Sequence, residues 1–162
     1  MPSWREFETE CPDLAGRVRR SLDQHRHKVL ATLRTDGSPR VSGVEVEFFD
    51  GDVWIGSMPA SRKAADLTRD PRCAVHGAPA DESMTAGDAK LSARAIQLPQ
   101  GPEHAALLRA RAADGRPSPD GPFDLFRLDL TAVALTGISA GGDQLRIESW
   151  TPATGYRVTE RA

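Results

Sequence analysis

The chain changes its hydrophobic period several times, and each change marks an element. Leu14, Val18 and Leu22 recur every fourth residue after Pro12 and Asp13. That is one narrow apolar seam on a helix, with proline suited to the first turn and aspartate to the positive end of the dipole. Arg17, Arg19 and Arg20 fall off the seam and are expected in solvent. The period then shortens to two. Val29–Leu33 is apolar and partly β-branched, and Asp36-Gly37 supplies a turn. Within Val41–Phe49, Val44, Val46 and Phe48 alternate with Glu45 and Glu47, and Asp50-Gly51 closes a second hairpin into Val53–Ser57. Two Asp-Gly turns between alternating segments predict an antiparallel meander.

The rest of the chain alternates between the two periods. A helix is expected over Arg62–Arg69, stopped by Pro71, then a strand over Arg72–His76 and a small, polar loop over 77–88. Lys90–Leu98 reads as a strand, Pro102–Ala113 as a helix, and 114–122 as a Pro/Gly loop. The two loops are placed to gate a pocket and set substrate choice. Asp124–Ile138 is long and β-competent, Gly141-Gly142-Asp143 turns it into a strand over Gln144–Trp150, and the tail from Thr151 is polar. This gives about seven strands and three helices in an α+β, mainly β chain, an antiparallel barrel with helices on its rim. Residues 1–162 are read as one domain.

Composition narrows the function classes. A formal charge of -2 argues against general binding to nucleic acid or an anionic membrane. Cys11 and Cys73 belong to no metal or redox spacing and read as reduced, packed thiols. The opening MPSWREFETECPDL lacks a basic region leading into an apolar stretch, so no signal peptide is expected. No apolar run approaches the length of a membrane span, and the expected location is the cytoplasm.

Candidate chemistry gathers at Gly56-Ser57-Met58-Pro59-Ala60-Ser61-Arg62-Lys63. Ser61 can cap the helix, exposed first-turn N–H groups attract anions, and Arg62 and Lys63 add a planar fork and a point charge. Two cations at the positive end of a helix oppose the dipole unless an anion compensates. The segment is either a phosphate site or a serine cap with two solvated cations. His25 and His27 have no third ligand at metal spacing, so no metal is expected; His76 reads as a strand-end residue, or one lining a cavity. Glu45 and Glu47 are expected on a solvated or interface-facing strand edge, and Trp54 and Trp150 in packing.

The order ATLRTDGSPRVSGVEV, then DGDVWIGSMPASRKAADLTRDPRCAV, resembles the FMN-binding split β-barrel family related to pyridoxamine 5′-phosphate oxidase. FDLFRLDLTAVALTGIS and LRIESWTP are similar to its later strands. The resemblance implies a homodimer with cofactor at the subunit interface and a small-molecule substrate. It implies that Arg62 and Lys63 hold the flavin phosphate, with Ser61 and Ser57 beside them. Arg40 and Ser42 then belong to the strand running along the cofactor. The cofactor implied is FMN, or a deazaflavin of the factor 420 type whose longer anionic tail would draw on Arg40, Lys28 and Arg34; haem occurs among related barrels but needs an axial ligand. A non-catalytic flavin carrier or sensor is the alternative to an enzyme. The oxidase itself places an arginine near the position of Ser42 and a lysine near that of Glu47, and its basic C-terminal signature is absent from GYRVTERA. These departures argue against vitamin B6 oxidation.

Overall fold

The computed structural model describes residues 2–77, 84 and 86–162, in which eight strands and four helices form a fold around a closed barrel. The chain runs α1 (Trp4–Glu10), α2 (Pro12–Asp23), β1 (His27–Leu33), β2 (Pro39–Phe49) and β3 (Asp52–Ser57). It continues through α3 (Arg62–Arg69), β4 (Arg72–His76), β5 (Asp88–Leu98), α4 (Pro102–Ala113), β6 (Asp124–Ile138), β7 (Leu145–Thr151) and β8 (Gly155–Arg161). All pairings are antiparallel, in the order β3-β2-β1-β4-β5-β6-β7-β8, and β3 pairs with β6 to close a barrel of its first six strands.

β6 serves two structures. Asp124–Leu128 pairs with β3 and closes the barrel, whereas Val133–Ile138 pairs with β7. Between the halves the register with β5 slips at Ser92/Ala93, so that Thr131 is skipped. Such a bulge bends a strand and strengthens its twist, and here it lets one strand leave the barrel and carry the β7–β8 extension.

The expected α2 seam is the seam that packs: Leu14, Val18 and Leu22 are all buried. Their cluster includes Leu30, Ile55, Leu91, Phe126 and Leu128 from the strands. A smaller cluster of Trp54, Leu107, Phe123 and Leu125 lies under α4. Two elements exceed the expectation. Residues 4–10 form α1, started by a capping box in which Ser3 and Glu6 bond each other reciprocally. The polar tail forms β8, paired along its length with β7. The gating expectation for 77–88 falls largely on 78–83 and 85, which lie outside the described residues.

Three polar expectations also change. Arg17 is not simply solvated but forms a two-point pair with Glu148, with Nη2 2.6 Å from Oε1, while the Tyr156 hydroxyl donates to the same carboxylate. Arg19 lies 4.0 Å over the Phe48 ring. Glu47 is buried, not on a solvated edge: Arg111 of α4 and Arg116 beyond it, the latter at 2.8 Å, clasp its carboxylate. Cys11 and Cys73 are free thiols, and burial pushes Cys73 up to about 12, consistent with an unreactive packed residue. Among the described residues no helix is long and apolar enough to cross a membrane, and no metal-binding cluster of His, Cys, Asp or Glu occurs.

Candidate functional site

The connection from β3 to α3 folds as a tight corner. Ser61 N–H donates to Met58 O at 3.2 Å, with Pro59 and Ala60 between them. Pro59 suits the first central position of such a turn, but Ala60 adopts φ 58°, a left-handed conformation that glycine ordinarily fills. A non-glycine residue held there stores strain, and such strain gathers at functional sites. The turn brings Ser57 back onto Ser61, their hydroxyl oxygens 2.6 Å apart. Ser61 also accepts from Ala64 N–H at 3.2 Å, capping α3 as its sequence foretold.

The two cations behave differently. Arg62 is exposed, with no side-chain partner among the described residues. Lys63 reaches back across the fold, donating from Nζ to the Gly43 carbonyl of β2 at 2.8 Å, and burial lowers its pKa. The first turn of α3 contains no acidic residue. Two cations, two hydroxyls and the free N–H groups of a helix start thus lie on one short segment, with Asp124 the cross-strand partner of Ser57. This donor set fits a phosphate.

Ser57 and Ser61 are therefore in contact, with Arg62 and Lys63 next along the chain, while the two β2 residues have other surroundings. Ser42 precedes the Gly43 that Lys63 touches, but its side chain pairs with nothing among the described residues and shares the sheet face of buried Leu30. Arg40 donates from Nε to Asp66 Oδ2 at 2.6 Å, beside Thr32 Oγ1 at 2.9 Å on the same oxygen. Arg40 thus positions α3 through Asp66. Sequence spacing alone did not reveal this triad, because its members lie on three separate elements.

Next to the corner lies the outer face of β2, β1, β4 and β5, which α4 reaches only as far as Glu45 and Glu47. Register aligns Gly43, Val29, His76 and Lys90 across β2, β1, β4 and β5, with Val41, Ala31, Ala74 and Ser92 in the adjoining row. Val41 is 70% exposed and Val29 36%. Small and apolar side chains make this a flat floor of the kind a ring or a second protein surface can cover. Two cavities lie elsewhere. One of about 600 Å³ includes Arg17, Arg146 and Glu148, and another of about 370 Å³ includes Lys28, Glu45 and Arg111. Their charged residues are largely engaged with one another, so neither displaces the corner as the candidate site.

The sequence profile of the family described as pyridoxamine 5′-phosphate oxidase matches residues 14–137. Among solved structures, the chain is similar to a heme binding protein from Mycobacterium smegmatis at 27% identity and TM-score 0.60, covering 86% of this chain and 58% of that one. A pyridoxamine 5′-phosphate oxidase-related, FMN binding protein from Nostoc punctiforme aligns over 100% of this chain and 98% of its own, at 16% identity and TM-score 0.63. An F420 reductase aligns over 69% of this chain and 91% of its own, at 18% identity and TM-score 0.53. No curated protein matches the chain in sequence. The latter two structures share the split-barrel fold at identities that carry the fold alone.

Proposed function

The chain belongs to the pyridoxamine 5′-phosphate oxidase family, and on that premise we propose that it is a flavin-dependent oxidoreductase holding FMN at Ser57, Ser61, Arg62 and Lys63. The observation that carries this reading is the corner itself: an exposed arginine and a desolvated lysine at the positive end of α3, with no acid in the first turn. Arg62 would grip the phosphate bidentately, Lys63 would add a point charge, and Ser61 would donate its hydroxyl while still capping the helix. The flavin, when bound, would supply hydride chemistry towards a small-molecule substrate. The protein's part would be to anchor the phosphate, present the flat outer face to the ring, and exclude water. A second copy of the chain covering that face would provide the exclusion, which makes a homodimer with cofactor at the interface part of the proposal.

FMN is favoured over a deazaflavin by the positions of the spare cations. A longer anionic tail would call on Arg40, Lys28 and Arg34. Arg40 is bound to Asp66, and Lys28 is buried with its ammonium bonded to the His25 and Arg26 carbonyls. Only Arg34 remains exposed. Oxidation of vitamin B6 is not proposed, because Ser42 brings no charge and Glu47 is a carboxylate with two arginine partners of its own. Haem is the second reading, favoured by the 27% identity to a heme binding protein. Titration of apoprotein with FMN, with factor 420 and with haemin, followed by visible absorption, separates the three. Saturable perturbation of the flavin bands is the expected result; a Soret shift with haemin and no response to FMN would replace the flavin reading with haem binding.

A further inference from the structure

On the outer face, three ionisable side chains stand together. His76 Nε2 at the end of β4 lies 2.6 Å from Asp88 Oδ1 at the start of β5, and Lys90 Nζ lies 2.8 Å from Asp88 Oδ2. Asp88 Oδ1 is sealed from solvent and receives no aligned hydrogen bond despite the nearby ring nitrogen. The ring nitrogen and this oxygen are within hydrogen-bond distance, the spacing at which a carboxylate orients a catalytic histidine.

The carboxylate is held in place by the backbone before it. Gly87 takes φ +75°, and a Cβ there would stand 2.7 Å from Leu135 Cδ1, so only glycine fits without displacing that side chain. Ser21 of α2 donates to the Gly87 carbonyl at 2.8 Å. Gly87, immediately before Asp88, is thus held from two sides.

Its distance from the phosphate corner is set by the sheet. Lys63 touches β2 at Gly43, and the register row from Gly43 runs through Val29 to His76. Two strand spacings separate Gly43 from His76, about 10 Å at roughly 4.8 Å each. The interval is floored by glycine, valine and alanine, and its far end carries the imidazole. A ribityl chain leading from a phosphate at the corner would bring a flavin ring over that floor, beside His76. The other histidine–carboxylate pair on this face, His27 with Glu45, is looser at 3.6 Å, and its ring is largely exposed.

We propose that His76, backed by Asp88, is the proton-transfer residue for the molecule that reacts over the ring. The assignment rests on the flavin reading above. Reduction of a quinone-class acceptor illustrates the balance. The reduced flavin gives a hydride, which carries two electrons, and the second proton comes from the protein. The imidazolium N–H bond breaks, an O–H bond forms on the acceptor, and solvent reprotonates the ring. Histidine suits this task because one ring nitrogen can pass a proton while the other faces the carboxylate.

The test uses FMN-loaded wild type, His76→Gln, Asp88→Asn and His27→Gln. Each is reduced anaerobically with dithionite and mixed with menadione, which needs protons, or with ferricyanide, which takes electrons only. His76→Gln should slow reoxidation by menadione at least about tenfold at neutral pH and flatten its pH dependence, in the range of general acid catalysis. Asp88→Asn should move the same way. Ferricyanide rates should stay within about twofold, and His27→Gln should match wild type on both oxidants. A readout independent of turnover is the NMR signal of the His76 ring in wild type, which should shift when oxidised FMN is added. Wild type that takes up no FMN would overturn the flavin reading. Wild type that binds FMN with an unmoved His76 signal, or His76→Gln that reacts with menadione at the wild-type rate, would overturn the His76 assignment alone.

Discussion

Asp66 keeps its charge in a nearly water-free position because donors converge on it. It is 3% exposed, and Thr32, Arg40 and Arg69 surround its carboxylate. Burial alone would raise its pKa; the bonds from Arg40 and Thr32 outweigh that and lower it. Removing one partner of a buried ion pair leaves the other uncompensated. Asp66→Ala should therefore cost about 3 kcal/mol in urea unfolding, well above the cost of an exposed substitution. Glu148 makes the same point through pH. The Arg17 guanidinium is the main cause of its low pKa, burial opposes it, and the Tyr156 hydroxyl assists; together they hold it near about 2. A depressed carboxylate stabilises the fold fully above its ordinary value of 4.5 and loses that contribution as pH falls towards about 2. Urea midpoints measured across that window should fall with acid, and Glu148→Gln should flatten the decline.

At the scale of elements, α4 depends on β2 for its attachment. Its Arg111, with Arg116 just beyond, closes on Glu47 while Leu107 packs in the cluster beside Trp54. Glu47→Ala should loosen that end of the helix, and amide exchange in Pro102–Ala113 should rise while that of β1 stays slow. Elements whose evidence is local were legible in the sequence: the four-residue seam of α2, both Asp-Gly hairpins, and α3 with its serine cap. α1 was missed: the Ser3–Glu6 capping spacing is present, but a seven-residue helix offers too little periodicity to stand out. β8 was hidden because its residues are mostly polar and exposed, so no hydrophobic alternation marks it. Glu47's partners are 64 and 69 residues away, a separation that no local pattern encodes. The candidate site divides the same way. Ser57, Ser61, Arg62 and Lys63 are neighbours in sequence, whereas the Arg40–Asp66 bond and the His76–Asp88 contact appear only once the strands are in register.

At the scale of the whole molecule, α4 covers the outer sheet face around Glu47 and Trp54 but leaves Val41 and Val29 exposed, and the candidate corner lies beside them. A solvated apolar face of this kind is a poor end state for a monomer, and covering it with a second copy would bury the ring as well. Val41→Arg places a charge at its most exposed apolar position and should shift sedimentation from dimer towards monomer, with weakened FMN retention in step. The central claim is narrower, that the start of α3 binds the flavin phosphate, and titration of wild type and Arg62→Ala/Lys63→Ala with FMN, followed by flavin fluorescence, tests it most directly. Wild type should bind saturably. The double variant, with unchanged thermal unfolding, should bind at least about 30-fold more weakly, because two charge-assisted hydrogen bonds worth about 2 kcal/mol or more are lost. Equal affinity in the two proteins would contradict the assignment.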